Sequence, residues 1–196
     1  KALQHVGENV KISVTADPTV INSADRVVFP GVGAIGDCMS EILRLDIGNI
    51  LKNCIHHKPV LAICVGMQAL LEHSEESGGV DCLKIVPGKV RQFDHHNTGP
   101  SGDKIKVPHM GWNAVEQCAD HPLWNGIEQY SRFYFVHSYY AEAQGNTHTA
   151  AYCDYGVKFA AAMSYENLFA VQFHPEKSAK SGLQLLRNFS NWVVQS

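Results

Sequence analysis

The chain predicts an α/β fold: a mixed, mostly parallel central sheet with helices on both faces. Three observations carry that prediction. Short continuous apolar runs at 60–63 (Val-Leu-Ala-Ile) and 169–173 (Phe-Ala-Val-Gln-Phe) read as strands covered on both sides. In the first half such runs alternate with segments of helical spacing at 35–45 and 47–54, whereas the second half is rich in hairpins. The 196 residues, 45% hydrophobic and 18% charged, are enough for one well-buried domain spanning 1–196. No internal repeat, low-complexity stretch or linker divides it.

In chain order, residues 1–6 read as the end of a helix, with Gly7 at its C′ position. Residues 10–14 alternate and predict a strand, and Asp17-Pro18 a turn. Residues 26–29 predict a strand running into Pro30-Gly31-Val32-Gly33. The helices 35–45 and 47–54 follow, then the strand 60–63 and an amphipathic helix after Gly66. Residues 83–86 and 89–93 predict strands around Pro87-Gly88, and 94–103 a polar loop. Residues 132–136, 149–152, 159–162 and 169–173 complete the strands, the last two joined near Glu166-Asn167. Leu183, Leu186, Phe189 and Val193 place one apolar face on a C-terminal helix. The chain opens inside a helix with no cap and no preceding strand. Such a start leaves donors unsatisfied, so a natural N-terminal strand and loop are expected to be missing.

The composition excludes several classes. A net charge of -3 gives no reason to expect nucleic acid or a membrane surface as partner. No apolar run is long enough to span a bilayer, and the first residues are not a signal peptide. Six cysteines without C-x-x-C spacing read as reduced thiols in a cytoplasmic protein. The eleven histidines include no H-E-x-x-H pattern, and the adjacent pairs His56-His57 and His95-His96 read as surface residues, with metal binding the lesser alternative. No cofactor or metal is called for.

The chemistry concentrates at two strand ends. Cys64 closes the run 60–63 and is followed by Val65-Gly66 and a helix, the sharp strand-to-helix turn that exposes a nucleophile. A thiol near a helix N-terminus is biased towards thiolate. The alternative is a buried structural cysteine, like Cys38, Cys54, Cys82, Cys118 and Cys153, which lack that context. The run 169–173 ends in His174-Pro175-Glu176. Pro175 has no N–H and stops strand pairing, so His174 and Glu176 sit at a strand exit. A cysteine, a histidine and a carboxylate at strand ends are the parts of a cysteine-nucleophile triad.

These residues carry a family resemblance. Cys64-Val-Gly-Met-Gln68 with His174-Pro-Glu176 resembles the class I (triad) glutamine amidotransferases, a flavodoxin-like three-layer fold. Pro30-Gly-Val-Gly33 resembles the oxyanion strand of one subgroup. Pro108-His-Met-Gly-Trp-Asn113 and Tyr134-Phe-Val-His-Ser-Tyr139 are similar to segments of the glutaminase subunits of imidazole glycerol phosphate synthases. The resemblance covers nearly the whole chain in the right order. One departure is Ala62, where the family usually has glycine.

The resemblance implies hydrolysis of L-glutamine through a cysteine thioester. Cys64 would be the nucleophile, His174 the general acid–base, and Glu176 the group that orients the imidazole. The Val65 N–H would be one oxyanion donor. The other would be the Val32 N–H after a peptide flip eased by Gly31 and Gly33, which would also bind substrate, where the alternative is a plain βα turn. Gln68 would bind glutamine, against a capping or surface role. His137, Ser138 and Tyr139 would contact substrate, against ordinary packing. Lys177, Trp112 and Asn113 would face a partner, with a solvated lysine the alternative at 177. The implied partner is a cyclase subunit with a (β/α)8 barrel, forming a heterodimer of histidine biosynthesis. Three other readings stay open: a glutaminase serving another synthase, such as surface-polysaccharide amination, a non-catalytic binding subunit, and a stand-alone cysteine hydrolase of another substrate.

Overall fold

The computed structural model describes residues 1–7, 10–99, 102–142 and 147–194. Strand β2 (Val60–Cys64) is its axis. It pairs in parallel with β1 (Val27–Gly31) on one side and with β12 (Leu168–Val171) on the other. Beyond β12 the pairing turns antiparallel, through β11 (Lys158–Tyr165) and β10 (Thr149–Asp154) to the short β7 (Glu116–Gln117). The order is β1-β2-β12-β11-β10-β7, a mixed sheet as the sequence predicts, but not a mostly parallel one: two of its pairings are parallel and three antiparallel, because the second half of the chain returns through hairpins. A smaller sheet, β4-β3-β5-β9, is built from β3 (His73–Ser74), β4 (Val80–Asp81), β5 (Lys89–Gln92) and β9 (Tyr139–Ala141). A separate ladder pairs β6 (His109–Ala114) with β8 (Arg132–His137).

Strand β2 has no polar residue because both of its faces are covered. Leu61 and Ile63 face a core shared with α3 (Ile35–Arg44) and α6 (Ala179–Asn191). Val60 and Ala62 face a second core with α4 (Ile47–His57). The sheet therefore lies between helical layers, and each fully buried Leu or Ile adds about 1.5–3 kcal/mol. Ala62 pairs with Phe29 and Ala170 and is fully buried among them. The tight backbone approaches at this strand–helix crossing fall instead at Gly31 and Gly66.

Several elements depart from the sequence prediction, each for a local reason. Residues 10–14 are exposed and unladdered, since alternation makes a strand only where a neighbour accepts it. Helix α1 (Ala2–Val6) does end at Gly7, but with φ −109, so no left-handed cap forms. Asp17-Pro18 opens α2 (Pro18–Ser23): the Asp17 carboxylate accepts the Thr19 N–H at 2.8 Å, and proline occupies the first turn. The expected strand 83–86 is irregular. The N–H groups of Leu83, Lys84, Ile85 and Val86 instead donate to the carbonyls of Ala69, Leu71 and Leu70. They thereby satisfy the C-terminal end of α5 (Val65–Ala69). That helix is short and buried throughout, not amphipathic. On α6 the buried stripe is Gly182, Leu185, Leu186 and Phe189. Leu183 lies off it, and Val193 is 76% exposed beyond the helix.

Candidate active site

Cys64 is the last residue of β2 and the first flank of α5, with φ 55 and ψ −113. A non-glycine residue there is strained, and only tight surroundings hold it so. Those surroundings are two glycines. A side chain on Gly66 would overlap the Phe29 carbonyl. One on Gly31 would overlap the backbone of Val65 and Gly66. The end of β1 thus lies directly on the elbow, with Gly31 in register with Cys64. Beyond it Gly33 has φ +85 with open space around it, and Val32 is 80% exposed. Gly31 therefore packs on Val65 beside Cys64, and residues 32–33 continue from that point.

His174 arrives from the other side. Val171 pairs with Ile63, so the chain leaving β12 passes beside Cys64. The His174 N–H donates to the Tyr134 carbonyl at 2.9 Å. Its own carbonyl accepts the Ser178 hydroxyl at 2.6 Å, and that hydroxyl accepts the Tyr134 N–H at 2.9 Å. Ser178 is buried and ties the histidine to β8. Pro175 then starts a tight turn that carries Glu176 back, placing Glu176 Oε1 2.8 Å from His174 Nδ1. Helix α6 can close on this turn because Gly182 has no side chain to meet the Pro175 carbonyl.

The electrostatics follow. His174 is raised from 6.5 to about 9, first by its hydrogen bond to the Cys64 sulfur and then by Glu176. Burial works to raise the Glu176 carboxyl. The His174 hydrogen bond, a backbone N–H and the His174 and Lys177 charges outweigh it and hold the carboxyl below its usual value. With Nδ1 on Glu176, the ring's Nε2 is left for the sulfur.

Gln68 is buried, not on the surface. Its Nε2 donates to the Tyr139 carbonyl and to Gln172 Oε1, both at 2.9 Å. Gln172 is fully buried, and its Nε2 lies 3.7 Å from Cys64 Sγ. His137 is inside as well. Its Nδ1 is 2.8 Å from the Tyr139 carbonyl and its Nε2 3.1 Å from His109 Nδ1. His109 stacks on Tyr155 with ring centroids 3.9 Å apart, and its Nε2 is 3.4 Å from Asn113 Nδ2. Burial pushes His109 down to about 4 and His137 to about 3, so both rings are neutral at physiological pH. His137 has both nitrogens engaged and supports Tyr139 from beneath, whereas Ser138 and Tyr139 are half-buried, the Tyr139 carbonyl being held by Gln68 of α5.

The surface residues divide too. Trp112 pairs with Tyr134 across the β6–β8 ladder and is 42% exposed, with Met110 at 62% on the same face. Lys177 Nζ sits 5.9 Å above the Tyr134 ring, joining that patch. Asn113 points to the opposite face, where its amide donates to the Asp154 carbonyl at 2.9 Å. Gln172, Ser178 and His109 were not singled out from the sequence. For Gln172 a signal was there: a polar residue interrupting a run of buried strand residues. Among the described residues no three His, Cys, Asp or Glu side chains converge as a metal cluster, and no helix is long and apolar enough to cross a membrane.

Comparison with known proteins identifies the family. The model of the class-I glutamine amidotransferase family matches residues 1–192. The chain is 56% identical over 192 residues to the imidazole glycerol phosphate synthase subunit HisH of Pseudomonas putida, covering 98% of this chain and 90% of that protein. It is 55% identical over 195 residues to the HisH subunit of Acinetobacter baylyi, covering 99% and 91%. Among solved structures, a glutamine amidotransferase superposes with a TM-score of 0.68 at 14% identity, over 97% of this chain and 89% of that one. The chain belongs to the class-I glutamine amidotransferase family, in the branch of the imidazole glycerol phosphate synthase HisH subunits.

Proposed function

We propose that this chain is the glutaminase subunit of an imidazole glycerol phosphate synthase, releasing ammonia from L-glutamine for histidine biosynthesis. The observation that carries the reading is the left-handed Cys64 elbow facing a His174 that is held by Glu176 at 2.8 Å. Cys64 Sγ attacks the side-chain carbonyl carbon of glutamine, and the C=O electron pair moves onto oxygen. That oxyanion is met by the Val65 N–H and, after the peptide turns, by the Val32 N–H. Collapse of the intermediate breaks the C–N bond, and His174 gives its proton to the leaving nitrogen. With its pKa near 9, His174 carries that proton at neutral pH. Water then attacks the thioester, His174 takes the water proton, and glutamate leaves as the C–S bond breaks.

A missing oxyanion donor costs roughly 10²–10³ in rate, so the position of Val32 is a switch. The open space at Gly33 favours such a turn. Gln68, Ser138 and Tyr139 form the glutamine pocket, with His137 holding Tyr139 in place. The partner is a cyclase subunit with a (β/α)8 barrel, which receives the ammonia. It docks on the face formed by Trp112, Tyr134 and Lys177, with Asn113 bracing that ladder from within.

The test is glutamate release from glutamine, with and without the cyclase and its nucleotide ligand. Strong stimulation by the liganded cyclase, abolished in Cys64→Ala, is the expected result. Equal release without a cyclase, or release surviving Cys64→Ala, refutes the reading.

A further inference from the structure

We propose that Gln172 is a positioning residue for the nucleophile, donating a side-chain N–H to Cys64 Sγ in an orientation locked by Gln68. The inference rests on Cys64 being the nucleophile and adds a group to that site. Gln172 lies one step beyond the Val171–Ile63 pair, which sets its side chain beside the cysteine on the neighbouring strand. It is fully buried. A buried primary amide without partners is costly, so its surroundings must satisfy it.

The direction of each bond follows from the acceptor at the start of the chain. The Tyr139 carbonyl can only accept. It therefore takes the His137 Nδ1–H at 2.8 Å and a Gln68 Nε2–H at 2.9 Å. Gln68 must then present its NH₂ end inward, and its second N–H meets Gln172 Oε1 at 2.9 Å. That fixes the Gln172 amide in turn: its oxygen faces Gln68 and its NH₂ faces the sulfur at 3.7 Å. An amide flip would set two NH₂ groups against each other. The same logic reaches back through His137. Its Nε2 must accept, so His109 Nδ1 donates at 3.1 Å and His109 Nε2 accepts from Asn113 at 3.4 Å.

A thiol sulfur is a weak acceptor and a thiolate a strong one. The Gln172 N–H therefore favours the anionic sulfur over the neutral one. It also holds the sulfur between β12 and His174 when the thiolate re-forms at the end of the cycle. Gln68 acts here through Gln172, besides any contact with glutamine.

The experiment measures the pH profile of Cys64 alkylation by iodoacetamide, read on the Cys64 peptide by mass spectrometry. Wild type is compared with Gln172→Met, which keeps the volume and removes the donor. The midpoint is expected to rise by about one pH unit, a tenfold loss of thiolate at lower pH. With the cyclase present, kcat should fall about tenfold with little change in KM. Gln68→Met should shift the midpoint the same way and by less. An unchanged midpoint in folded Gln172→Met overturns the inference. If that variant does not fold, the Gln172 side-chain ¹⁵N–¹H signals of the wild type decide. They should move with the Cys64 titration and not in Cys64→Ala, and signals that stay still overturn it. Labelling of wild-type Cys64 by diazo-oxo-norleucine, with the cyclase present, separates the two claims. No label defeats the nucleophile itself, whereas a label with an unchanged Gln172→Met profile defeats only this inference.

Discussion

His174 and the buried histidines respond to pH in opposite directions. The folded value of His174, about 9, lies above its ordinary 6.5. Its contribution to stability is therefore complete below about pH 6.5 and is lost as pH rises through about 9. His109, His121 and His137 are lowered by burial to about 4, 4 and 3. Their contribution is complete above about pH 6.5 and fades as pH falls through those values. The thermal midpoint should therefore plateau near neutrality and fall on both sides, which a scan from pH 4 to 10 would show. Replacing Glu176 by Gln removes the charge that holds the imidazolium. The His174 titration, followed by NMR, should move below 9, and glutamate release should fall by roughly 10²-fold or more. At this scale the sequence was informative about identity and silent about surroundings. The order Cys64, His174, Glu176 is readable because each stands at a strand end. The inward turn of His137 and Gln68 is not, since it depends on which neighbours fill the space beneath them.

Among the elements, the contact between β1 and α5 demands the most of its residues. Gly66→Ala puts a methyl group into the Phe29 carbonyl, and neither backbone can yield without moving the elbow. We expect a loss of at least about 2 kcal/mol in urea unfolding, together with loss of Cys64 reactivity. The strands β1, β2, β11 and β12 and the helices α3 and α4 were legible because apolar runs of the right length have few alternatives. Three misreadings share one cause. Residues 10–14 alternate but lack a neighbour, and 83–86 are apolar but are used to terminate α5. Strand β6, which was not predicted, exists because β8 lies opposite it residue for residue. In each case a long-range partner, absent from local pattern, decided the outcome.

Across the whole molecule, the fold and the proposed reaction centre are made by the same distant pairing. Gln172 and Cys64 are 108 residues apart in the chain, and the parallel β2–β12 ladder is what joins them. Closing so long a loop is entropically costly before any contact rewards it, and such topologies fold slowly. The first-half units, including the α3–α4 pair, have nearby partners and need not wait. During refolding from urea, helical signal should therefore return before the characteristic alkylation profile of Cys64, which should appear only in the last cooperative phase. A native-like profile in an early phase would show that the elbow forms without β12. On the proposed reading of Cys64 the thiol would serve as a clock on assembly: a chain released half-folded carries six ordinary cysteines, and the proposed nucleophile is complete only when its two halves have met.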